Sequence, residues 1–430
     1  MAQSARVTRR FIGILKPRLA ELELDSVDDP RSRRGRRWSL SALLTAALVG
    51  LVAGCKSLLE LEDLTVKIST AARRALGLGR RVPDTTLRKL LCEMTPESLR
   101  AVMHREVRLA HRRKALVLDG LPFGVAALDG KDTALPSCDD KYAQRQTQEG
   151  GALLGMLRTM TCCLVGHRGQ PCIDAFPIPA ATNEMGIFAS YVSELVRIYG
   201  KLDLFRMVAA DAGSCSLQNA TFVRELGLHY LFGLKGTQLT LLQEARRLLE
   251  ARASDQAIAV SEDQLGGGKT VVRRLWLTTQ MAGFEWDHLA AVVRVQSETY
   301  AHGRLEKGED RYFVCSLGAD RLTPKQWLRL VRQYWGVENA VHCTLDKTMR
   351  EDDHPWIEAN PQGALAVALL RRVAYTLLAL ARAVTLRSEE NRCAPWKTII
   401  EWMKLALLTV TAEDVAELRT RRRLPATDCT

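Results

Sequence analysis

The sequence predicts an α/β fold with a helical domain before the core and further helices after it. Three observations support this class. Residues 1–115 carry helix patterns and helix-start signals, residues 116–250 alternate between strand and helix patterns, and residues 251–320 return to strands alone. Because alternating strands and helices build a layered core, we interpret the block 251–320 as a β-rich insertion into an α/β domain.

The N-terminal domain, residues 1–115, is expected to be helical. We expect one helix over residues 38–61, a second beginning at Pro83-Asp84, and a third in which Thr95-Pro96 places proline at the first helical position. The apolar run 40–55 is shorter than the roughly 20 residues that span a bilayer. We therefore expect a helix buried in a soluble domain and no membrane segment.

A run of arginines in this domain is too dense to pack inside a core. Two interpretations stay open, a solvated linker and an arm that contacts phosphates. The formal net charge of +12 favours a polyanionic partner, most simply nucleic acid. The candidate DNA-binding residues are Arg31, Arg33, Arg34, Arg36 and Arg37.

The cysteines indicate neither a disulfide framework nor a zinc site. The chain has 11 of them, yet no Cys-x-x-Cys spacing occurs and most lie singly in apolar runs, where cysteine behaves as a small hydrophobic residue. The N-terminus is polar and basic through Arg10, unlike a signal peptide. We expect a cytoplasmic protein with reduced thiols.

The elements of the core follow from periodicity and turn residues. The predicted strands of the first core part are 123–129, 153–165, 171–178, 205–211 and 229–235, with helices at 184–199 and 216–227. The predicted strands of the insertion are 256–261, 271–280, 289–296 and 311–317. Residues 321–410 should hold helices at 324–348, 361–385 and 395–410, followed by a basic tail, residues 411–430, with its charge at Arg419–Arg423.

Three acids are the candidate catalytic residues. Asp129 and Asp211 each follow an apolar, strand-like run, and Glu338 lies on a predicted helix. An acid at the end of a strand can be held rigidly at the rim of a sheet. Three carboxylates brought together there can hold two divalent cations, the arrangement used in phosphodiester chemistry.

The helix around Glu338 carries further polar residues on one face. Trp335, Glu338, His342 and Asp346 fall at helical spacing, a combination that is unusual for a core face. A surface salt-bridge network involving Arg332 and Lys347 is the open alternative. The glycine-rich segment 266–270 resembles a phosphate-binding loop only at its end, because position 263 is aspartate, so a β-turn is expected.

These residues together resemble the DDE-type insertion-sequence transposases, over most of the chain. Each motif is weak alone, whereas their order and spacing are specific. The matching segments are Asp129-Gly130-Lys131, Asn183-Glu184, Asp211-Ala212-Gly213, Leu234-Lys235-Gly236, and, on the third-acid helix, Arg332, Trp335, Glu338, Asn339, His342, Leu345 and Asp346. The resemblance implies a ribonuclease H-like catalytic core with a β-rich insertion.

The chain departs from that family around the third acid. The family carries an arginine where this sequence has Tyr334 and a lysine where it has Leu345, and Cys343 replaces a usual tryptophan. Arg332 and Lys347 are the candidates for supplying the missing positive charge. The three acids themselves are all present.

The resemblance implies in-line displacement at phosphorus with two Mg²⁺ (or Mn²⁺) ions. Asp129 would bridge both ions, and Asp211 and Glu338 would each hold one. The residues that would assist are His342, Trp335, Arg332, Asn339 and Lys235. The implied partners are transposon ends and target DNA, bound by a homodimer at the nucleoid, with no membrane and no small-molecule cofactor.

Three other function classes compete with the transposase. A metal-dependent nuclease or resolvase would use the same acids without strand transfer. A transposase-derived DNA-binding protein would be expected to have lost an acid. A metabolic α/β enzyme would need a nucleotide or dinucleotide fingerprint, which the sequence lacks, and the positive net charge argues against it.

Overall fold

The structure, a computed structural model, describes residues 12–421 apart from residues 14, 140, 148–150, 152, 281–285, 287 and 387. The last helix described is Ala412–Arg421. The basic tail predicted at Arg419–Arg423 therefore falls mostly outside the described residues.

The N-terminal domain is helical, as expected. Its helices are α1 Leu40–Val52, α2 Leu58–Lys67, α3 Thr70–Ala75, α4 Asp84–Glu93 and α5 Pro96–Arg112. The predicted single helix over 38–61 is wrong, because the chain turns at Gly54, whose φ is +75°, and starts again at Leu58. The hydroxyl of Ser57 accepts a hydrogen bond from the Glu60 N–H at 3.1 Å and so caps the second helix.

The α/β core follows this domain. Its strands are β1 Val125–Leu135, β2 Ala143–Thr147, β3 Leu153–Val165, β4 Cys172–Pro177, β5 Met207–Ala210 and β6 His229–Leu234. Its helices are α6 Glu184–Tyr199, α7 Leu217–Glu225 and α8 Leu239–Leu249. The predictions for β3 and α6 are confirmed to the residue, whereas β2 and α8 were not predicted.

The remaining elements complete the sheet and cover it. The strands are β7 Ala259–Leu265, β8 Lys269–Thr278, β9 Ala291–Ala301 and β10 Arg304–Cys315. The helices are α9 Pro324–Tyr334, α10 Pro361–Leu380, α11 Glu389–Cys393, α12 Trp396–Thr409 and α13 Ala412–Arg421.

All ten strands belong to one sheet, in the order β2-β3-β1-β5-β6-β10-β9-β8-β7, with β4 paired to β3. The pairs β1–β3 and β3–β4 are antiparallel, and the pairs β1–β5 and β5–β6 are parallel. Tyr312–Cys315 of β10 pair antiparallel with Leu231–Leu234 of β6. The strands predicted as an insertion therefore extend the central sheet.

The two faces of the sheet belong to different hydrophobic clusters. Val125 and Ala127 of β1 pack with α10 and the N-terminal helices, whereas Ala126 and Leu128 pack with α6 and α7. This alternation is the two-residue period of a strand buried on both faces. Pro361–Thr385 is the one helical stretch of the described residues that is long and apolar enough to cross a bilayer, and its apolar window is entirely buried inside the protein.

A buried ion pair fastens the N-terminal domain to the core. Asp174 of β4 is 0% exposed, and Arg100 of α5 donates to its two oxygens at 3.0 and 2.6 Å. His104 Nε2 lies 3.0 Å from Asp174 Oδ1. Burial alone would raise the pKa of Asp174, but the hydrogen bonds and charges of His104 and Arg100 lower it to about 2.

Asp174→Asn should destabilise the protein by roughly 3–5 kcal/mol, because it leaves the buried Arg100 guanidinium without its counter-charge. The folded pKa of Asp174 lies below the ordinary value of 3.8, so this stabilisation is present above about pH 4 and is lost as the pH falls towards 2. Urea unfolding measures both effects. Asp203→Asn, in an exposed pair with Arg206, is the matched control and should change little. Equal urea midpoints for the two variants would contradict the anchoring role.

Candidate active site

One cavity of about 620 Å³ brings the three predicted acids together. It opens where two strands part, since β1 and β5 pair only through Val125–Ala127 and Met207–Ala209. Asp129 lies beyond this pairing on β1, and Asp211 is the residue after β5 ends at Ala210. The other functional side chains that line the cavity are Lys131, Lys235, Arg311, Tyr334, Trp335, Glu338, His342 and Asp346.

The first acid is not at a strand end, contrary to the prediction. Strand β1 continues to Leu135, and Asp129 is paired in register with Thr161 of β3. The sheet itself therefore fixes the backbone of Asp129. Its Oδ2 lies 3.2 Å from Nδ1 of His342, and the other ring nitrogen of His342 is buried without a hydrogen-bond partner among the described residues.

The second acid does follow its strand as predicted. Asp211 Oδ1 accepts hydrogen bonds from the backbone N–H groups of Gly213 at 3.0 Å and Ser214 at 3.3 Å. These two bonds form a turn that fixes the orientation of the carboxylate before α7 begins. The other oxygen of Asp211 is left to face the cavity.

The third acid lies on a π-helix. The predicted helix over 324–348 is not one α-helix, because α9 ends at Tyr334 and the segments Val337–His342 and Thr344–Thr348 are π-helical. Single π-helical turns are rare and are frequently found at functional sites. Glu338, His342 and Asp346 recur every fourth residue and all line the cavity with Trp335, so the predicted face exists on a different helix type.

A buried lysine ties the first-acid strand to the third-acid segment. Lys131 Nζ lies 2.7 Å from Asp346 Oδ1 and 3.0 Å from Asp352 Oδ1. Burial alone would lower the pKa of Lys131, but the carboxylates of Glu351, Asp346 and Asp352 raise it. The lysine therefore stays charged and holds the two segments at a fixed distance.

The charges of the three acids act on one shared environment. Burial raises the pKa of Tyr334 well above its usual value, and the carboxylates of Asp129, Asp211 and Glu338 raise it further. A fourth acid, Glu184 on α6, is also affected. Burial and the charges of Asp211 and Asp129 raise the pKa of Glu184 to about 7.

Glu184 was not predicted as a site residue, although Asn183-Glu184 was part of the family resemblance. The available signal was a carboxylate at the first position of a helix that directly follows the β3–β4 pair. Nothing in the sequence connects that position with Asp129, because only the sheet brings them together.

The donor set suits a hard divalent cation. Asp129, Asp211 and Glu338 offer only carboxylate oxygens, which favour Mg²⁺ or Mn²⁺ over zinc. Within the described residues, no three His, Cys, Asp or Glu side chains converge closely enough to hold one ion as they are placed. The carboxylates repel one another, and they are spaced around the cavity instead of gathered at one point.

The positive charge of the site comes from other residues than expected. Lys131, Lys235 and Arg311 line the cavity. Arg332 instead pairs with Asp263 at 2.9 Å and lines a separate cavity, and Lys347 is exposed and does not line the site. The expectation that Arg332 and Lys347 replace the family's charges is therefore wrong.

Trp335 forms one wall of the site. It is half-buried, with its ring centroid 5.8 Å from that of Phe313 and 6.2 Å from that of Tyr334. The guanidinium carbon of Arg311 lies 4.3 Å from the Trp335 ring centroid, within range of a cation–π contact. Asn339 does not line the main cavity and lies with Trp335 and Arg311 in a smaller one of about 160 Å³.

The arginine run divides into two groups. Arg31 donates to both oxygens of Asp29 at 2.9 Å, and Arg36 donates to the Arg31 carbonyl at 2.7 Å, so these two hold a local turn. The other three side chains are exposed and make no hydrogen bond or ion pair with another residue in the described ranges. They are Arg33, Arg34 and Arg37.

Comparison with known proteins identifies the family. The family model described as "Transposase DDE domain" matches residues 125–376, and the one described as "DDE_Tnp_1-associated" matches residues 22–105. The first match covers more than half of the chain. The chain therefore belongs to the DDE-type insertion-sequence transposases, and the resemblance found in its motifs is confirmed.

Several individual relatives are similar to the chain. The "Uncharacterized protein in dhlA 3'region" of Xanthobacter autotrophicus is 26% identical over 310 residues, 68% of this chain and 93% of that protein. The "H repeat-associated putative transposase YhhI" of Escherichia coli K12 is 29% identical over 161 residues, 34% of this chain and 41% of that protein. A piggyBac transposase synaptic complex with hairpin DNA aligns over 99% of this chain and 82% of its own, with 13% identity and a TM-score of 0.40.

Trp335→Ala should lower the free energy of unfolding by about 2–3 kcal/mol, less than the roughly 3–5 kcal/mol of a fully buried aromatic, because one side of the ring faces the cavity. Chemical denaturation measures the loss. Trp335→Phe keeps the contact with Phe313 and should retain most of the stability. If Trp335→Ala unfolds at the wild-type denaturant concentration, the ring does not support the third-acid segment.

Proposed function

We propose that this chain is a DNA transposase that cuts and joins DNA at insertion-sequence ends by metal-dependent phosphodiester chemistry. The observation that carries the proposal is that Asp129, Asp211 and Glu338, which come from three different elements, line one cavity in a chain of the DDE family. The proposed partners are transposon ends and target DNA, with a homodimer on the DNA and the bacterial cytoplasm as the setting.

The strand order supports a ribonuclease H-like core. The order β4-β3-β1-β5-β6 has antiparallel pairs up to β1 and parallel pairs after it. We propose that residues 116–250 and 321–410 form this catalytic core, that residues 1–115 bind DNA, and that residues 251–320 are the insertion.

The three acids would hold two Mg²⁺ or Mn²⁺ ions, with Asp129 shared between them. When bound, such ions lower the pKa of the attacking water or hydroxyl and stabilise the leaving oxygen. The oxygen-only donors and the shared cavity fit this group. The chain contributes the positions of the ligands, and each ligand has its own support.

The supports are specific to each acid. His342 Nδ1, 3.2 Å from Asp129, orients the first carboxylate. The N–H groups of Gly213 and Ser214 orient Asp211. Lys235, exposed at the end of β6, and Arg311 offer positive charge to a phosphate that enters the cavity.

Asp129→Asn, Asp211→Asn and Glu338→Gln should each abolish cleavage, because each removes the charge of a metal ligand while keeping the shape of the side chain. Cleavage and joining of DNA that flanks the gene are measured in Mg²⁺, and a gel-shift assay should show nearly unchanged binding. Joined products distinguish a transposase from a nuclease. Glu225→Gln, exposed on α7, is the control and should cleave normally. Near-normal cleavage by any of the three acid variants would remove that residue from the centre.

Replacing Arg33, Arg34 and Arg37 by glutamine should weaken DNA binding equally across sequences. The slope of log affinity against log salt should flatten by roughly 0.9 for each phosphate that the variant no longer neutralises. Arg31→Gln with Arg36→Gln is the matched control, which should lower stability and leave the slope unchanged because these side chains hold the turn at Asp29. The same slope in wild type and the triple variant would make the segment a linker.

A further inference from the structure

The carboxylate of Glu184 occupies the space that a side chain at position 130 would fill. A Cβ atom built on Gly130 would lie 1.7 Å from Glu184 Oε1 and 2.8 Å from Oε2. Gly130 directly follows Asp129, and side chains alternate along β1, so this Cβ would point to the α6 face of the sheet. Glu184 therefore reaches the edge of the site from the face opposite to Asp129.

Glu184 has no counter-charge of its own. Within the described residues its carboxylate makes no hydrogen bond or ion pair, although it is half-buried. The charges that act on it come chiefly from Asp211, Asp129 and Asp132. Arg158 is also near, but it lies 3.4 Å from Asp132 Oδ2. A half-buried carboxylate among other carboxylates is unfavourable unless a cation neutralises it.

The position of Glu184 in its helix does not account for this placement. An acid in the first turn is favoured by the helix dipole, yet the N-terminus of α6 is already capped. Asn183 Oδ1 accepts the Gly186 N–H at 2.9 Å. The dipole would favour a carboxylate turned to solvent equally well, so it does not explain one packed against Gly130.

Charge balance supplies the reason. Two divalent cations bring four positive charges, one more than Asp129, Asp211 and Glu338 neutralise. We propose that Glu184 is a fourth carboxylate of the metal centre, and that position 130 is glycine so that this carboxylate can reach the centre. The inference rests on the proposed metal-dependent function and adds a ligand from α6 to those from β1, the end of β5 and the π-helix.

The test is Mn²⁺ binding by the full-length chain without DNA, followed by calorimetric titration. Glu184→Gln, which keeps the shape of the side chain, should weaken Mn²⁺ binding about 10–100-fold, the loss typical when a group that supports a metal site is removed. Gly130→Ala should cause a similar loss, because its Cβ displaces the Glu184 carboxylate. Glu225→Gln, on the exposed face of α7, should bind as the wild type does.

A second readout separates a metal-site role from a structural one. In EDTA, Glu184→Gln should raise the melting temperature, because it removes repulsion from Asp211 and Asp129, and added Mn²⁺ should then raise it less than in the wild type. A lower melting temperature in EDTA would overturn the inference by making Glu184 structural. This comparison also stands if Gly130→Ala does not fold.

Asp129→Asn distinguishes this inference from the proposed function. If Asp129→Asn loses Mn²⁺ binding and Glu184→Gln keeps it, the fourth carboxylate is overturned and the three-acid centre stands. If both variants bind Mn²⁺ as the wild type does, the metal centre is overturned together with the inference.

Discussion

Four carboxylates meet where β1 and β5 part, and the fold must hold them there against their mutual repulsion. Each acid is fixed by a different means. The central sheet holds Asp129, a backbone turn holds Asp211, and a capped helix start holds Glu184. Glu338 depends on its π-helical segment, which is the longest irregular connection in the site and needs the most support from its surroundings.

That support comes from buried ion pairs behind the cavity. Lys131 bonds Asp346 in the third-acid segment, and the next buried carboxylate, Glu351, is 1% exposed and accepts from Arg372 of α10 at 3.1 Å. Arg372 also donates to Thr161 Oγ1 at 3.4 Å, and Thr161 is the strand partner of Asp129. One arginine on the core helix thus connects the backbone of the first acid with the loop that follows the third. Replacing one member of such a network would leave another charge buried and unpaired.

Local patterns predicted the regular parts of this structure, and tertiary contacts decided the rest. Strand β3 and helix α6 have long uninterrupted patterns and were predicted to the residue. The end of β1 was misjudged because its polar second half is held by pairing with β3, not by its own composition. The π-helical register around Glu338 has an ordinary helix pattern in sequence. The three acids were found from motifs, whereas Glu184 needed the packing against Gly130, which no sequence spacing encodes.

The central claim is that Asp129, Asp211 and Glu338 form one metal centre. Anomalous diffraction from crystals of the full chain soaked in Mn²⁺ tests this claim most directly, because it locates the ions without reference to activity. The account predicts manganese peaks inside the cavity, in contact with carboxylate oxygens of all three acids. Manganese bound only at other carboxylates, or no peak between these three residues at saturating Mn²⁺, would contradict it.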